Sequence, residues 1–371
     1  MKRAYKERFY PTPTQAKLLA KSFGCARFVY NNTLKWRTDL YYKEGVKVKN
    51  SEIGKRLVPL KEEFPWLKEV SNVVLQQVLR NQESAFLNFW AGRAKYPTFK
   101  KKHSKQSIRL TKSGFRFKKG KLYIAKSEEP LDIRWTRKLP SEVSSISISK
   151  DAAGRYFVSM LCEFEPEKLD VSPKTIGIDL GLNHLYIDSD GRKQKNPKYT
   201  KKYEHKLAYL QRQLSKKKKG SSNRNKARHK VAKLHAKIAD CRRDATHKAT
   251  RALINENQVI CVEDLAVKNM VKNPKLAKHI SDANWGEFLR QLEYKADWAG
   301  RQIVKIDRWF PSSKRCSTPN CGHIMDSLAL DIRSWECPSC NTLHDRDINA
   351  AKNIKTVGLA GLACGATESG V

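Results

Sequence analysis

The chain has 371 residues, 74 of them Lys or Arg against 37 Asp or Glu, for a formal net charge of +37. Solubility alone does not require so large a one-signed charge, so a polyanionic partner is expected. A membrane surface is the poorer fit, since the cations are spread along the chain and no apolar run reaches the roughly 18 residues of a membrane span. The opening Met1-Lys2-Arg3-Ala4-Tyr5-Lys6 leads into polar sequence instead of a secretory leader, which predicts a cytoplasmic protein. Nine cysteines, four of them paired near the C-terminus, read as thiols and metal ligands and not as a disulfide framework. A hydrophobic fraction of 40% supports real cores, and the length predicts two or three domains.

Residues 4–10 read as a short strand, after which Pro11 and Pro13 lead to Thr14 as the cap of a helix burying Leu18, Leu19 and Phe23. Further helices are predicted around 26–44 and 71–92, with Phe64-Pro65-Trp66-Leu67 as the break, so the stretch to about residue 95 is a helical insertion. From Tyr96 the pattern turns to short β runs, such as Phe115-Arg116-Phe117 before Lys119-Gly120 and Leu122-Tyr123-Ile124 after it. The first strand is expected to join this β-domain. Near residue 172 a new domain begins with strands at 176–179 and 184–187, the hairpin turn Asp188-Ser189-Asp190-Gly191 and then long helices: an α/β pattern with antiparallel early strands. Residues 201–251 are basic and helical in period, broken at 216–223, which predicts a helical hairpin. A charge run is often just a solvated face, but this excess is one-signed, so Lys216, Lys217, Lys218, Lys219 and Arg224 are candidate nucleic-acid contacts. A helix starting at Ser281 or Asp282 should bury Trp285, Phe288, Leu289, Leu292 and Trp298 ahead of a strand at 302–306. The Gly- and Ala-rich residues 356–371 predict a poorly ordered tail.

Three acids stand out. Asp179 ends Thr175-Ile176-Gly177-Ile178-Asp179, Glu263 ends the apolar run Val259-Ile260-Cys261-Val262-Glu263, and Asp347 lies in His344-Asp345-Arg346-Asp347-Ile348-Asn349 at a helix start. Two carboxylates at strand ends and one at a helix start are what a two-metal phosphodiester-cleaving site needs, because hard divalent ions take oxygen ligands and must be held close together. Strand alternation puts Glu263 and Asp264 on opposite faces, so one of them can join such a site, and the pattern does not choose between them. Cys316 and Cys321 with Cys337 and Cys340 form two knuckles suited to one tetrahedral structural zinc; four thiolates leave no open position for water. So small a loop-rich module needs that ion to stay folded.

Further segments carry a family resemblance: Ala26-Arg27-Phe28-Val29-Tyr30-Asn31, Tyr96-Pro97-Thr98-Phe99-Lys100, Asn196-Pro197-Lys198-Tyr199, residues 280–288 around Asn284-Trp285-Gly286, and Phe310-Pro311-Ser312-Ser313. With the acids and cysteines, and over nearly the whole chain, the sequence resembles TnpB, the RNA-guided endonucleases encoded by insertion sequences and related to type V CRISPR effectors. The resemblance implies a β-barrel-like wedge domain (1–12 and 96–171) carrying a helical recognition insertion (13–95). An α/β RNase H-like (RuvC) nuclease domain (172–307 and 342–355) follows, with a zinc-ribbon insertion that binds target nucleic acid (308–341). It makes Asp179, Glu263 and Asp347 the catalytic acids and leaves Asp264 and Asp345 as neighbours. One departure is visible: four residues separate Cys316 from Cys321 where the family usually has two.

By the same resemblance, a guide RNA from the transposon end pairs with one strand of a target double-stranded DNA beside a short flanking motif. Asn72 and Gln76, four residues apart, are candidates to grip adenine edges there, or are ordinary surface amides. Two Mg²⁺ ions roughly 4 Å apart would be bridged by Asp179 and flanked by Glu263 and Asp347. No protein oligomer or membrane is implied, and the setting is the prokaryotic nucleoid. The rival readings are a nuclease-silent RNA-guided repressor, against which the retained acids argue; a strand-joining transposase; and a zinc-dependent regulator with structural acids.

Overall fold

The computed structural model describes residues 1–48, 50–102, 105–329 and 331–368, and the chain divides into two compact units, Met1–Glu165 and Pro166–Val371. In the first, strand β1 (Lys2–Tyr10) is followed by helices α1 (Pro13–Glu44), α2 (Asn50–Lys55) and α3 (Leu57–Glu63), a 3₁₀ turn at Pro65–Glu69, and α4 (Asn72–Trp90). Strands β2 (Gln106–Thr111), β3 (Phe115–Lys118), β4 (Lys121–Ile124), β5 (Asp132–Arg134), β6 (Val143–Lys150) and β7 (Tyr156–Glu163) complete it. The first strand does join the β-domain: β1 pairs antiparallel with β7 from Lys2 opposite Glu163 to Phe9 opposite Tyr156. Among the described residues the antiparallel sheet runs β2-β6-β7-β1-β5, with β3 and β4 as a separate hairpin whose Leu122 and Ile124 join the same core.

Helix α1 departs from its predicted form twice. Its cap is Thr12 and not Thr14, because Thr12 and Gln15 exchange side-chain-to-backbone hydrogen bonds. It also runs unbroken through Gly24, since Leu19, Phe23, Ala26, Val29, Tyr30 and Leu34 continue one buried stripe and tertiary packing overrides the glycine's weak propensity.

The second unit opens before residue 172: Leu169 donates its N–H to Ala299 O at 3.0 Å, so residues from 166 on belong to it. Strands β8 (Thr175–Leu180), β9 (His184–Asp188) and β10 (Lys193–Lys195) lead to helices α5 (Tyr199–Lys202), α6 (Glu204–Ser215) and α7 (Ser222–Glu256). Next come β11 (Val259–Glu263), α8 (Val267–Met270), α9 (Pro274–Ala283), α10 (Trp285–Ala299) and β12 (Gln302–Ile306), then β13 (Ser334–Glu336), β14 (Leu343–Asp345) and α11 (Arg346–Glu368). The sheet order is β10-β9-β8-β11-β12, with β8 antiparallel to β9 and parallel to β11, which is itself parallel to β12. This is the predicted α/β sheet with antiparallel early strands, and α6 and α7 form the predicted hairpin.

The helix expected from Ser281 or Asp282 instead begins after Asn284, whose left-handed backbone (φ 63°) separates α9 from α10. Asp282 lies in the last turn of α9 and accepts the N–H groups of Thr200 and Lys201 at the start of α5. Trp285, Phe288 and Leu292 are buried as predicted, while Leu289 and Trp298 are half-buried.

The expected disordered tail is helical through Glu368; residues 369–371 lie outside the described residues. Helix α11 lies directly on the sheet because small residues meet there. A Cβ on Gly177 would overlap Ala351 O and lie 2.6 Å from Lys355 N, and one on Gly358 would lie 2.5 Å from Cys261 Sγ. Helix and strand would have to part to admit it, so Gly177→Ala is expected to destabilise the unit by about 2–3 kcal/mol. A fall of roughly 5–10 °C in melting temperature would register it.

Candidate active site and metal centre

The register of the parallel pair β8–β11 sets the first two acids. Val262 stands opposite Ile178, so the next residues, Glu263 and Asp179, lie side by side where the two strands end, with their side chains on the same face. That end of a parallel sheet is where open α/β folds present their sites. The third acid, Asp347, comes from the first turn of α11, the helix that rests on β8 at Gly177. Asp345 caps this helix by accepting from Asp347 N at 3.0 Å and Ile348 N at 3.1 Å, and its other oxygen meets Lys193 Nζ at 2.6 Å. A carboxylate in the first turn also suits the positive end of the helix.

All three acids are half-buried, and Glu263 and Asp347 both act on Asp179. Burial first, then the charges of Glu263 and Asp347, push the Asp179 carboxyl up to about 8, against weaker opposition from Arg346 and Arg333. Burial also raises Glu263, opposed by the Ser312 hydroxyl, which donates to its Oε1 at 2.6 Å. Arg333 reaches Asp347 at 3.4 Å. Asp264 turns away into an ion pair with Arg308. The structure therefore brings Asp179, Glu263 and Asp347 together and leaves Asp264 and Asp345 outside.

Ser312 is a residue that sequence reasoning missed, although it lies in a quoted motif. Its segment is clamped by α11: Asn349 Nδ2 donates to Arg315 O at 2.7 Å, and Asn353 Nδ2 donates to Ser312 O at 2.8 Å and Arg315 O at 2.6 Å. The signal was present as two asparagines four residues apart on one helix face, both of which prove buried.

The four cysteines converge, their sulfur atoms within 4.8 Å of one another; among the described residues no other group of three or more His, Cys, Asp or Glu side chains is so close, and the acids are spaced more openly. Cys316 and Cys340, like Cys321 and Cys337, are 3.6 Å apart, near the roughly 3.8 Å that tetrahedral Zn–S bonds of about 2.3 Å dictate. The longer first knuckle is accommodated by left-handed Asn320 (φ 63°) and Gly322 (φ 62°). Thr342 pulls the Cys340 thiol down towards the thiolate a metal requires. The module extends past residue 341, since β14 pairs with β13 across Trp335 and His344, and His344 Nε2 lies 3.0 Å from Cys316 Sγ.

Of the candidate nucleic-acid contacts, Lys216 to Lys219 are exposed at the tip of the α6–α7 hairpin. Arg224 is instead engaged within it, its guanidinium donating to Leu214 O at 3.0 Å and Lys217 O at 2.8 Å, so it closes the turn. In the first unit, Asn72 and Gln76 are exposed and line one cleft of about 490 Å³ with Lys61 and Arg80. Among the described residues no helix is long and apolar enough to cross a membrane.

A curated protein of Streptomyces pristinaespiralis described as "Putative RNA-guided DNA endonuclease" is 48% identical over 98% of this chain and 91% of its own length. The chain belongs to the TnpB family. A second member, InsQ of Escherichia coli K12, carries the same description and is 31% identical over 98% of this chain and 94% of its own. Family profiles described as "Probable transposase", "Cas12f1-like, TNB domain" and "Helix-turn-helix domain" match residues 159–274, 285–354 and 1–46. The last description does not fit the local structure of this TnpB chain, where residues 1–46 hold one strand and one continuous helix. Among solved structures, that of a Cas12f1-sgRNA-target DNA complex matches the fold with a TM-score of 0.60 at 15% identity, covering 93% of this chain and 83% of that one.

Proposed function

We propose that this TnpB protein is an RNA-guided DNA endonuclease, cutting double-stranded DNA by metal-dependent hydrolysis at Asp179, Glu263 and Asp347. The observation that carries the reading is the register of β8 and β11, which sets two carboxylates side by side at a sheet end beneath the helix bearing the third. Family membership supplies the substrate class. The three acids fit hard divalent ions: they are oxygen donors, and the burial and neighbouring negative charge that hold a proton on Asp179 are what a bound dication offsets. Asp179, Glu263 and Asp347 would hold two Mg²⁺, which when bound supply an activated water and stabilise the leaving 3′ oxygen. The four thiolates would hold one structural Zn²⁺.

The guide is RNA from the transposon end, held by the basic surfaces that include Lys216 to Lys219. Asn72 and Gln76, beside Lys61 and Arg80, read the flanking motif, and base pairing reads the target. The test is co-expression with the DNA downstream of the gene, followed by incubation of the purified complex with Mg²⁺ and duplexes that match or mismatch the end of the bound RNA. Cutting of matched duplex alone is expected. Matched binding without cutting would favour a repressor, and joined strands at transposon ends without a guide would favour a transposase.

Ser312 acts through Glu263. Removing its hydroxyl takes away a hydrogen bond to the charged carboxylate and so raises the proton affinity of Glu263 further. Ser312→Ala is expected to cut about 10–100-fold more slowly at limiting Mg²⁺ and to recover as Mg²⁺ or pH is raised. A loss that neither condition restores would show that Ser312 acts in some other way.

A further inference from the structure

Trp309 is 85% exposed, a large aromatic face left in water, yet the residues around it are tied into the structure by hydrogen bonds and packing. Its own N–H bonds Asp307 Oδ1 at 2.7 Å, and Phe310 N bonds Asp307 O at 3.2 Å, closing a turn. On one side Arg308 is ion-paired to Asp264, the residue after Glu263. On the other, Phe310 packs into the cluster of Cys261, Ile306 and Ile354, and two residues later Ser312 donates to Glu263. The arch from 307 to 312 is thus tied at both ends to the end of β11. It places the Trp309 Cα within about 11 Å of the Ser312 Cα, three Cα–Cα steps along the chain.

A lone exposed apolar side chain is ordinary on a protein surface. Two features set this one apart: its backbone is hydrogen-bonded into a turn, and the arch that holds it also holds one of the three acids. An indole offers a broad aromatic face on which a nucleobase can stack, and the chain's net charge of +37 draws a polyanion to its surface. We propose that Trp309 is a stacking platform for an unpaired base of the DNA strand being cut, fixing that strand's path to the acids. The inference rests on the nuclease reading above and adds a residue that touches substrate. Stacking needs an unstacked base, so the platform acts on single-stranded DNA and carries no base preference.

The test uses the RNA-loaded complex and a matched duplex with 2-aminopurine placed in turn along the unpaired strand. In the Asp179→Ala background, which does not need to cut, fluorescence should be quenched at one or two adjacent positions. Adding Trp309→Ala should abolish that quenching. With Asp179 intact, Trp309→Ala should slow single-turnover cleavage about 10–100-fold, leaving duplex affinity within about threefold, and Trp309→Phe should restore most of the rate. Removing so exposed a side chain leaves the packing intact, which an unchanged melting temperature checks. Unchanged quenching together with an unchanged rate overturns the platform. If the wild-type complex binds matched duplex without cutting, the nuclease reading fails, and the quenching pattern still decides whether Trp309 meets a base.

Discussion

Asp179→Asn is expected to abolish cleavage and at the same time to raise the melting temperature of the metal-free protein. The Asp179 carboxyl, pushed to about 8 by burial and by Glu263 and Asp347, holds a proton in the folded chain that it gives up near pH 4 when unfolded. Below about pH 4 both states are protonated and the site costs nothing. Between about pH 4 and 8 the unfolded state releases the proton while the folded state keeps it, so this residue's contribution falls steadily as pH rises. Asparagine has no proton to lose, and its advantage should grow through that window and level off above pH 8. Discounted for the solvent that reaches this half-buried side chain, the gain is about 1–3 kcal/mol, or roughly 3–8 °C in a chelator. Mg²⁺ should reverse the order, stabilising the wild-type protein and not the variant. Loss of cleavage should exceed about 10³-fold, and the wild-type pH midpoint should move down as Mg²⁺ rises, since the cation favours the ionised carboxyl. Equal melting temperatures in chelator across pH 5–9, or a variant that still cuts, would remove Asp179 from the centre of the site.

The acids and thiols were legible in the sequence because their chemistry is local: a carboxylate at a strand end or a paired cysteine announces itself before the fold is known. The choice between Glu263 and Asp264 was not legible from the residues, since alternation makes them equivalent until the β8–β11 register and Arg308 assign their faces. Ser312, Asn349 and Asn353 were hidden for a related reason. Their hydrogen bonds join segments far apart in sequence, and a serine or an asparagine alone carries no signal of its partner. Helix limits failed where packing outweighed propensity, at Gly24 within α1 and in the Gly- and Ala-rich end of α11, whose small residues are what let it lie on β8 and β11. Arg224 looked like part of a basic surface because sequence reports charge and not the carbonyl groups that a guanidinium can cap.

The zinc module is expected to govern cleavage through the same long-range bonds. Its own core is small: Cys316, Trp335 and Cys337, with Met325 and Leu328 beside them. So little apolar burial cannot hold the loop, whereas a four-thiolate zinc contributes roughly 10 kcal/mol or more of apparent binding energy. The consequence reaches both neighbouring acids. Ser317 N bonds Asn349 Oδ1 at 3.0 Å, and His344, next to the Asp345 cap of the helix bearing Asp347, contacts Cys316. Residues 312–315, which place Ser312 on Glu263, run directly into Cys316. Cys337→Ser should therefore lower bound zinc from one per chain to well below one and expose residues 308–345 to limited proteolysis. It should also cost at least about 100-fold in cleavage rate even at saturating Mg²⁺, while the first unit keeps its protease resistance. Stripping zinc from the wild-type protein should reproduce the loss, and adding zinc back, but not further Mg²⁺, should reverse it. A zinc-free wild-type protein that cuts at the normal rate would show that the thiolate centre and the acids are built independently. The hydrogen bonds from Ser317 and Ser312 argue that they are not, because the backbone that carries one of the thiolates is also the backbone that orients Glu263.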